Sequence, residues 1–546
     1  MGTPRMRISA WIVTTLIFVS TMSSAWGNQY ESEIYSLGIS GDTRALSEML
    51  ARHQDAFLKG QISADDMRRL MRPLQRTHPG LVHNLKSWVE SEPDNPMAHI
   101  ALSWNIYVRA FQVRGYDTSY NTHREASNHF RKMIRRAADH AQLAYQLDEN
   151  LIPASDAMIR MHTYAKYIRH PNYVLQKVME THPNWGTLSR ALFLSHPGWG
   201  GHPDRITELC SKYVDLLPPE GDIDLETRCY VEGYASYYWK DVEGWLDDLR
   251  FDITSDPVLD WIRADLILSR STSRTVTDDE LNFAREHILK MKNPLAAMRK
   301  ARQWDKIAPR TAASGPYFNE QIAAAHYENA LQNLETDPLN LSLIQFLQEA
   351  ENPLQLAPGE TNEDRAAAQA LLQLKLAERK IVASPFRGQN WLDYVWPLKA
   401  TGADFSELNK AYVNAIAYSS DPPKMLAFYL SELDNRISHL RASIRTTSPS
   451  TLSDHGSSAP PLISKGQETG LFCQYLRAFR LFEIECNASI EGEAICKRQS
   501  GFANSYERYK GLAQKVAQRP RCSDILLLSV GELEFEPQGV NLTALE

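Results

Sequence analysis

Long apolar runs are scarce in this sequence, and their scarcity sets the first limit. A membrane-spanning helix needs roughly 20 consecutive apolar residues, and no stretch is long and apolar enough, so no membrane span is expected in the mature chain. Excess basic charge is missing too. The 59 Lys and Arg stand against 66 Asp and Glu, a formal net charge of −7. That balance argues against nucleic acid as a partner, which calls for concentrated cations. His-Glu-x-x-His, Gly-x-Ser-x-Gly, a phosphate-cradling glycine loop and a calcium loop are all absent. So are Cys-x-x-Cys and mixed Cys/His ligand spacings, so neither a metal nor a cofactor is expected. Carboxylates are plentiful, but choosing an acid–base pair among them from sequence would be arbitrary.

What is present is ordinary globular material. The 546 residues suit two or three domains on length alone. The chain is 43% hydrophobic and 23% charged, and its 12 Trp supply ample core. The first residues read as a targeting segment. Arg5 and Arg7 give a short positive region, Ala10 to Val19 an apolar one, and Ala25 and Gly27 the small residues before a cut. Residues 1–27 are therefore expected to be a signal peptide, with a retained N-terminal anchor as the competing reading, disfavoured because the apolar run is shorter than a spanning helix. The mature chain would start near Asn28, in the periplasm or outside the cell. No cysteine follows the apolar run closely, which excludes a lipid-anchored cysteine there. Residues 28–40 are expected to be loose.

Six cysteines fit an oxidising compartment. Ile206, Leu209, Cys210, Tyr213, Val214 and Leu217 mark a helix, Leu217 to Gly221 breaks it, and a second helix starts near Leu225. Cys210 and Cys229 lie symmetrically about that break. In an antiparallel pair, equal distances from the turn put residues at equal height, so a Cys210–Cys229 bridge is expected. The remaining four allow three pairings. The nested one, Cys486–Cys496 at the turn and Cys473–Cys522 at the open end, is preferred on the same geometry.

The rest of the chain repeats one cadence. Asp42 can cap a helix bearing Leu46, Met49, Leu50 and Phe57, and Ser63 and Asp66 have capping-box spacing before Met67, Leu70 and Met71. Glu92 to Pro96 is a turn. Phe130, Ile134, Ala137, Ala141 and Ala144 recur at helical steps. Thr277 and Glu280 form another capping box, and Leu426, Leu430, Leu433, Ile437, Leu440 and Ile444 form a heptad-like stripe. These short helices with Pro/Asn/Asp turns predict an all-α fold. The expected architecture is a tetratricopeptide-like α-solenoid of helical hairpins with a small disulfide-bonded helical C-terminal unit, although no strict 34-residue period is present. The expected division is 28–240 and 241–445 as two helical regions continuous with each other, 446–470 as a Ser/Pro-rich linker, and 471–546 as the C-terminal unit.

Arg114-Gly115, the long helix with Phe130 and the Ala137-Ala138 and Ala141 run, and the Trp199-Gly200-Gly201 loop together resemble an uncharacterised bacterial family, domain of unknown function 4034. The resemblance covers roughly residues 86–232, with Gly198 where that family places Lys before the Trp. It implies tetratricopeptide-like helical repeats and no assigned activity.

Candidate binding residues are Arg114, Trp199, Gly200, Gly201 and His202, with Arg131 and Arg135 from the basic face of Arg124, Arg131, Lys132, Arg135 and Arg136. An exposed indole on a glycine-bent loop is a natural anchor. The competing reading, which base rates favour, tucks Trp199 between helices and uses the glycines for positive φ. A basic helix face is more often solvated or paired than occupied. His162, His170, His182, His196 and His202 are dense, but turn and surface positions account for them. No catalytic residue is assigned. Two functions remain in view. One is a protein- or peptide-binding module of the cell envelope, its partner an envelope or secreted protein or peptide. The other is an envelope-polymer hydrolase worked from the loops around Arg114 and Trp199 to His202.

Overall fold

The computed structural model describes residues 30–115, 122–165, 171–195, 201–202, 204–220, 223–235, 257–269, 276–308, 317–350, 361–419, 422–446, 473–482, 510 and 513–514. Among the described residues every regular element is a helix and none is a strand. The fold is all-α. No described helix is long and apolar enough to cross a membrane.

Residues 30–40 form α1. It is followed by α2 (Thr43–Leu58), α3 (Ala64–Met71), α4 (Pro79–Ser91), α5 (Pro96–Arg114), α6 (Arg124–Leu147), α7 (Ile152–Ala165), α8 (Pro171–Thr181), α9 (Trp185–Leu194), α10 (Asp204–Tyr213) and α11 (Leu225–Ala235). Then come α12 (Pro257–Ser269), α13 (Asp278–Lys290), α14 (Pro294–Ile307), α15 (Phe318–Thr336) and α16 (Leu341–Glu349). The series ends with α17 (Asn362–Ala383), α18 (Gly388–Ala400), α19 (Phe405–Ala417), α20 (Pro422–Thr446) and α21, residues 473–482. Neighbours in sequence pack on one another: α4 on α5, α7 on α8, α10 on α11, α14 on α15, α18 on α19.

The starts of these helices follow from short polar side chains that satisfy orphan backbone donors. Asp42 accepts from the Ala45 N–H, and Ser63 and Thr277 each close a capping box with Asp66 and Glu280. Asn95, Asn184, Asn293 and Asn340 cap α5, α9, α14 and α16, with Pro96 and Pro294 in the first turn. Gly115 ends α5 at φ 76°, in the left-handed region, where its N–H reaches the carbonyls of Phe111 and Gln112. In α6 the sequence stripe is the buried one: Phe130, Ile134, Ala137, Ala141 and Ala144 face the core. Leu426, Leu430, Leu433 and Ile437 do the same in α20.

One expectation is corrected. Residues 30–40 are not loose but helical, and Ile34 is fully buried. Asn84 donates to the carbonyls of Gly38 and Ile39 at the end of α1. The Tyr35 hydroxyl donates to the Thr336 carbonyl at 2.7 Å, 301 positions away. Asp337 likewise accepts from the N–H and hydroxyl of Thr77. A segment with few apolar residues is thus held by long-range hydrogen bonds that no local pattern announces.

The chain forms two compact units, 1–116 with 127–355 and 117–126 with 356–546. The bonds from Tyr35 and Thr77 to residues 336 and 337 lie within the first. Also within it, His99 and His140 bring α5 and α6 together, Nδ1 to Nδ1 at 3.0 Å. His99 Nε2 donates to the Pro93 carbonyl, so in the neutral pair His140 donates from Nδ1. Burial, then His99 and Arg136, lower the His140 pKa to about 4.

The Cys210–Cys229 bridge is present, with a Cα–Cα distance of 5.7 Å, across a turn of Val214–Leu216 and the Pro218-Pro219 break. Cys473 on α21 is also disulfide-bonded. Cys486, Cys496 and Cys522, and so both C-terminal pairings, lie outside the described residues. The 210–229 bridge closes a loop of 19 positions, which by chain entropy stabilises the first unit by about 3 kcal/mol. Replacing both cysteines by Ala should lower its urea unfolding free energy by about that amount. An unchanged midpoint would mean that the bridge constrains nothing.

Candidate functional site

Helix α7 opens within a run, Leu151 just before it to Ile159, in which every residue is buried. Two of them are polar, Ser155 and Asp156. A carboxylate there is tolerated only if cations and donors reach it. They come from two other helices. On α3, Arg68 Nε donates to Asp156 Oδ2 at 2.7 Å and Nη2 approaches Oδ1 at 3.4 Å. From α9, the Thr187 hydroxyl donates to Asp156 Oδ1 at 2.9 Å, and Arg190 Nε stands 3.4 Å from Oδ2. The Asp156 side chain is 1% exposed and that of Arg68 9%.

Local sequence explains why these groups arrive. Met67, Leu70 and Met71 bury one face of α3 and carry Arg68 inward beside them. Asn184 both caps α9 and accepts from Arg68 Nη2, so the start of α9 is indexed to α3. A Cβ at Gly186 would collide with the Arg68 guanidinium, so glycine is what lets that approach happen. Arg190 donates from Nη1 to the Gly186 carbonyl at 2.7 Å. One turn beyond Asp156, Arg160 donates to the Tyr107 hydroxyl of α5 at 2.7 Å and lies over the rings of Tyr107 and Phe193. The Trp104 indole donates to the Pro153 carbonyl.

Arg68, Trp104, Tyr107, Asp156, Arg160 and Arg190 are among the residues that line a cleft of about 370 Å³ bounded by α3, α5, α7 and α9. Five arginines border it, Arg68, Arg69, Arg72, Arg160 and Arg190, against two carboxylates, Asp65 and Asp156. Burial alone would raise the Asp156 pKa; Arg190, Arg68 and the hydrogen bonds overcome it and hold the group below the usual carboxylate range. Burial, with Arg68 and Arg160 adding repulsion, lowers the Arg190 pKa against the pull of Asp156. An ionised Asp156 gripped by Arg68 and Thr187 is a structural anion, not a proton donor. The wall it supports is cationic and partly aromatic, suited to holding an anionic group.

The residues singled out from sequence have other surroundings. Arg114 ends α5 with its guanidinium over the Phe130 ring, 5.5 Å from the centroid. Arg131 and Arg135 lie exposed on α6. Trp199 and Gly200 lie outside the described residues. At Gly201 a Cβ would strike the backbone of Leu194 and Ser195, so glycine there allows a close approach. His202 is exposed, and its Nδ1 accepts from the Asp204 N–H at the start of α10. His182 packs against Phe57, and the side chains of His162, His170 and His196 are outside the described residues. Among the described residues no group of three His, Cys, Asp or Glu is arranged to hold a metal. The missed residues are Arg68, Asp156, Arg160 and Arg190. Their one sequence signal is an aspartate inside an apolar helical run.

Compared with known proteins, the chain matches no family model and no curated sequence.

Because the folded pKa of Asp156 lies below its unfolded value of about 3.9, the unfolded chain takes up the proton first. The stability it contributes is fully present above about pH 3.9 and is lost as pH falls through the folded value. Asp156→Asn leaves Arg68 with only the exposed Asp65 as countercharge and Arg190 with none in ion-pair contact among the described residues, and should cost about 3 kcal/mol at pH 7. Urea titrations of the two proteins should converge on acidification. A gap independent of pH would contradict the ionised pairing.

Proposed function

We propose that this chain is an exported helical-repeat protein that binds a protein or peptide partner in the cell envelope, with no reaction assigned to it. The observation that carries the reading is the cleft between α3, α5, α7 and α9. Its one fully buried carboxylate is consumed by Arg68 and Thr187, while arginines outnumber carboxylates along its walls. A site made for proton transfer wants a carboxyl raised toward neutrality or a base that orients a nucleophile. Here Asp156 is pushed the other way. The sequence of the first 27 residues supports export, and stacked helical hairpins supply surfaces that suit extended partners.

The hydrolase reading would need reacting groups around Arg114 and His202. His202 is exposed and engaged at the start of α10, and Arg114 sits on an aromatic ring. Neither arrangement favours it.

The test is co-purification from an envelope fraction with wild type and with Arg72→Gln/Arg160→Gln. A partner retained by wild type and lost by the variant, with unchanged far-ultraviolet circular dichroism, is the expected result. If no partner is retained, and His202→Ala abolishes a measured turnover without unfolding the chain, the binding reading is wrong.

A further inference from the structure

The arginines of the cleft are not equally occupied. Arg68 is held by Asp156 and Asp65, and Arg69 is paired with Asp66 at 3.6 Å, both side chains about half exposed. Such an exposed pair is easily exchanged for another anion. Among the described residues Arg72 has no carboxylate partner, and neither has Arg160. The Nε of Arg190 is buried and makes no hydrogen bond in the protein. Asp156 lies 3.4 Å from it, too poorly placed to accept its proton. The wall therefore carries five positive charges against two negative, and one of its buried donors is unsatisfied. Burying a donor without an acceptor is unfavourable, and since that atom is itself closed to solvent, what Arg190 offers a ligand is the remaining exposed part of its side chain, 23% of it.

We infer that this cleft takes an acidic peptide segment, one with two or three carboxylate side chains close together and an apolar residue among them. The inference rests on the binding reading above and deepens it by naming the ligand class. Charge complementarity sets the number of carboxylates: the excess of arginines over aspartates in the lining is three. The distribution of charge selects carboxylates over a phosphoryl group. Asp65 and Asp156 line the same cleft, and a compact dianion would concentrate its charge against both. Monoanions spread along α3, α7 and α9 meet Arg72, Arg160 and Arg190 separately and stay clear of the two aspartates. Arginine pairs with carboxylates in a planar fork, as Arg68 already does with Asp156. Trp104, Tyr107 and Val108 give the wall an apolar strip for the residue between the acids.

The experiment is selection from a random heptapeptide library on the full mature chain and on Arg72→Gln/Arg160→Gln. Arg72 is exposed, so Arg72→Gln alone serves as the second variant that cannot disturb the core. Retained peptides should be enriched in Asp and Glu. Affinity of an individual retained peptide should fall about tenfold in the double variant and in its Gln-substituted twin. It should also fall as salt rises. Retention without acidic bias would overturn the inference and leave peptide binding standing. No retention above background would overturn the inference too, and would leave the binding reading to the partner recovery described above. Displacement of the selected peptides by about 10 mM inorganic phosphate at constant ionic strength would overturn it in favour of a phosphoryl ligand, because screening alone is then held fixed.

Discussion

A carboxylate in the middle of a buried helical run is the constraint on which the rest of the first unit turns. Left alone, Asp156 would be unfavourable by several kcal/mol. Its presence therefore obliges other helices to bring cations and donors to one point. Arg68 comes from α3, Thr187 and Arg190 from α9, and each of these has its own partner that fixes how it arrives. Helix α7, which carries the carboxylate, contacts α3, α5, α8 and α9. The ionic cluster thus lies where several helices meet, and it sets their mutual register with more directional bonds than apolar packing supplies.

The same constraint produces the cleft. Because Arg68 must reach inward, Gly186 has no side chain and Asn184 turns its amide oxygen toward the guanidinium. Because Arg190 is shared between Asp156 and the Gly186 carbonyl, its Nε is left without an acceptor. Arg160, one turn along α7, is clamped by the Tyr107 hydroxyl and two rings. Fixing these arginines in advance lowers the entropy that a ligand's anionic groups would otherwise have to overcome on binding.

Much of the fold is legible in the sequence because its signals are local. Capping residues at Asp42, Ser63 and Thr277, the stop at Gly115 and the symmetry of Cys210 and Cys229 about a proline break each act within a few residues. What is not legible is non-local. Helix α1 is secured by Tyr35 reaching Thr336, and Arg68 meets Asp156 across 88 positions. Candidate residues chosen for conspicuous chemistry in loops and on helix faces have local work instead: Arg114 on Phe130, Gly201 against Ser195, His202 at the start of α10. The informative residue was inconspicuous. Asp156 breaks the apolar run from Leu151 to Ile159, and a charge placed there implies a partner somewhere in the chain.

The most direct measurement is a double-mutant cycle of unfolding free energies over Arg68→Met and Asp156→Leu. Each single change takes from a buried charge its closest buried partner, leaving Asp156 to Arg190 and Thr187 or Arg68 to the exposed Asp65, whereas the double change replaces the pair with apolar side chains of similar reach. The account predicts two strongly destabilised single variants and a double variant that recovers much of the loss, a coupling of about 2 kcal/mol or more. Additive losses would mean that the two residues do not depend on each other, and the pairing of α3 with α7 would have to be explained some other way.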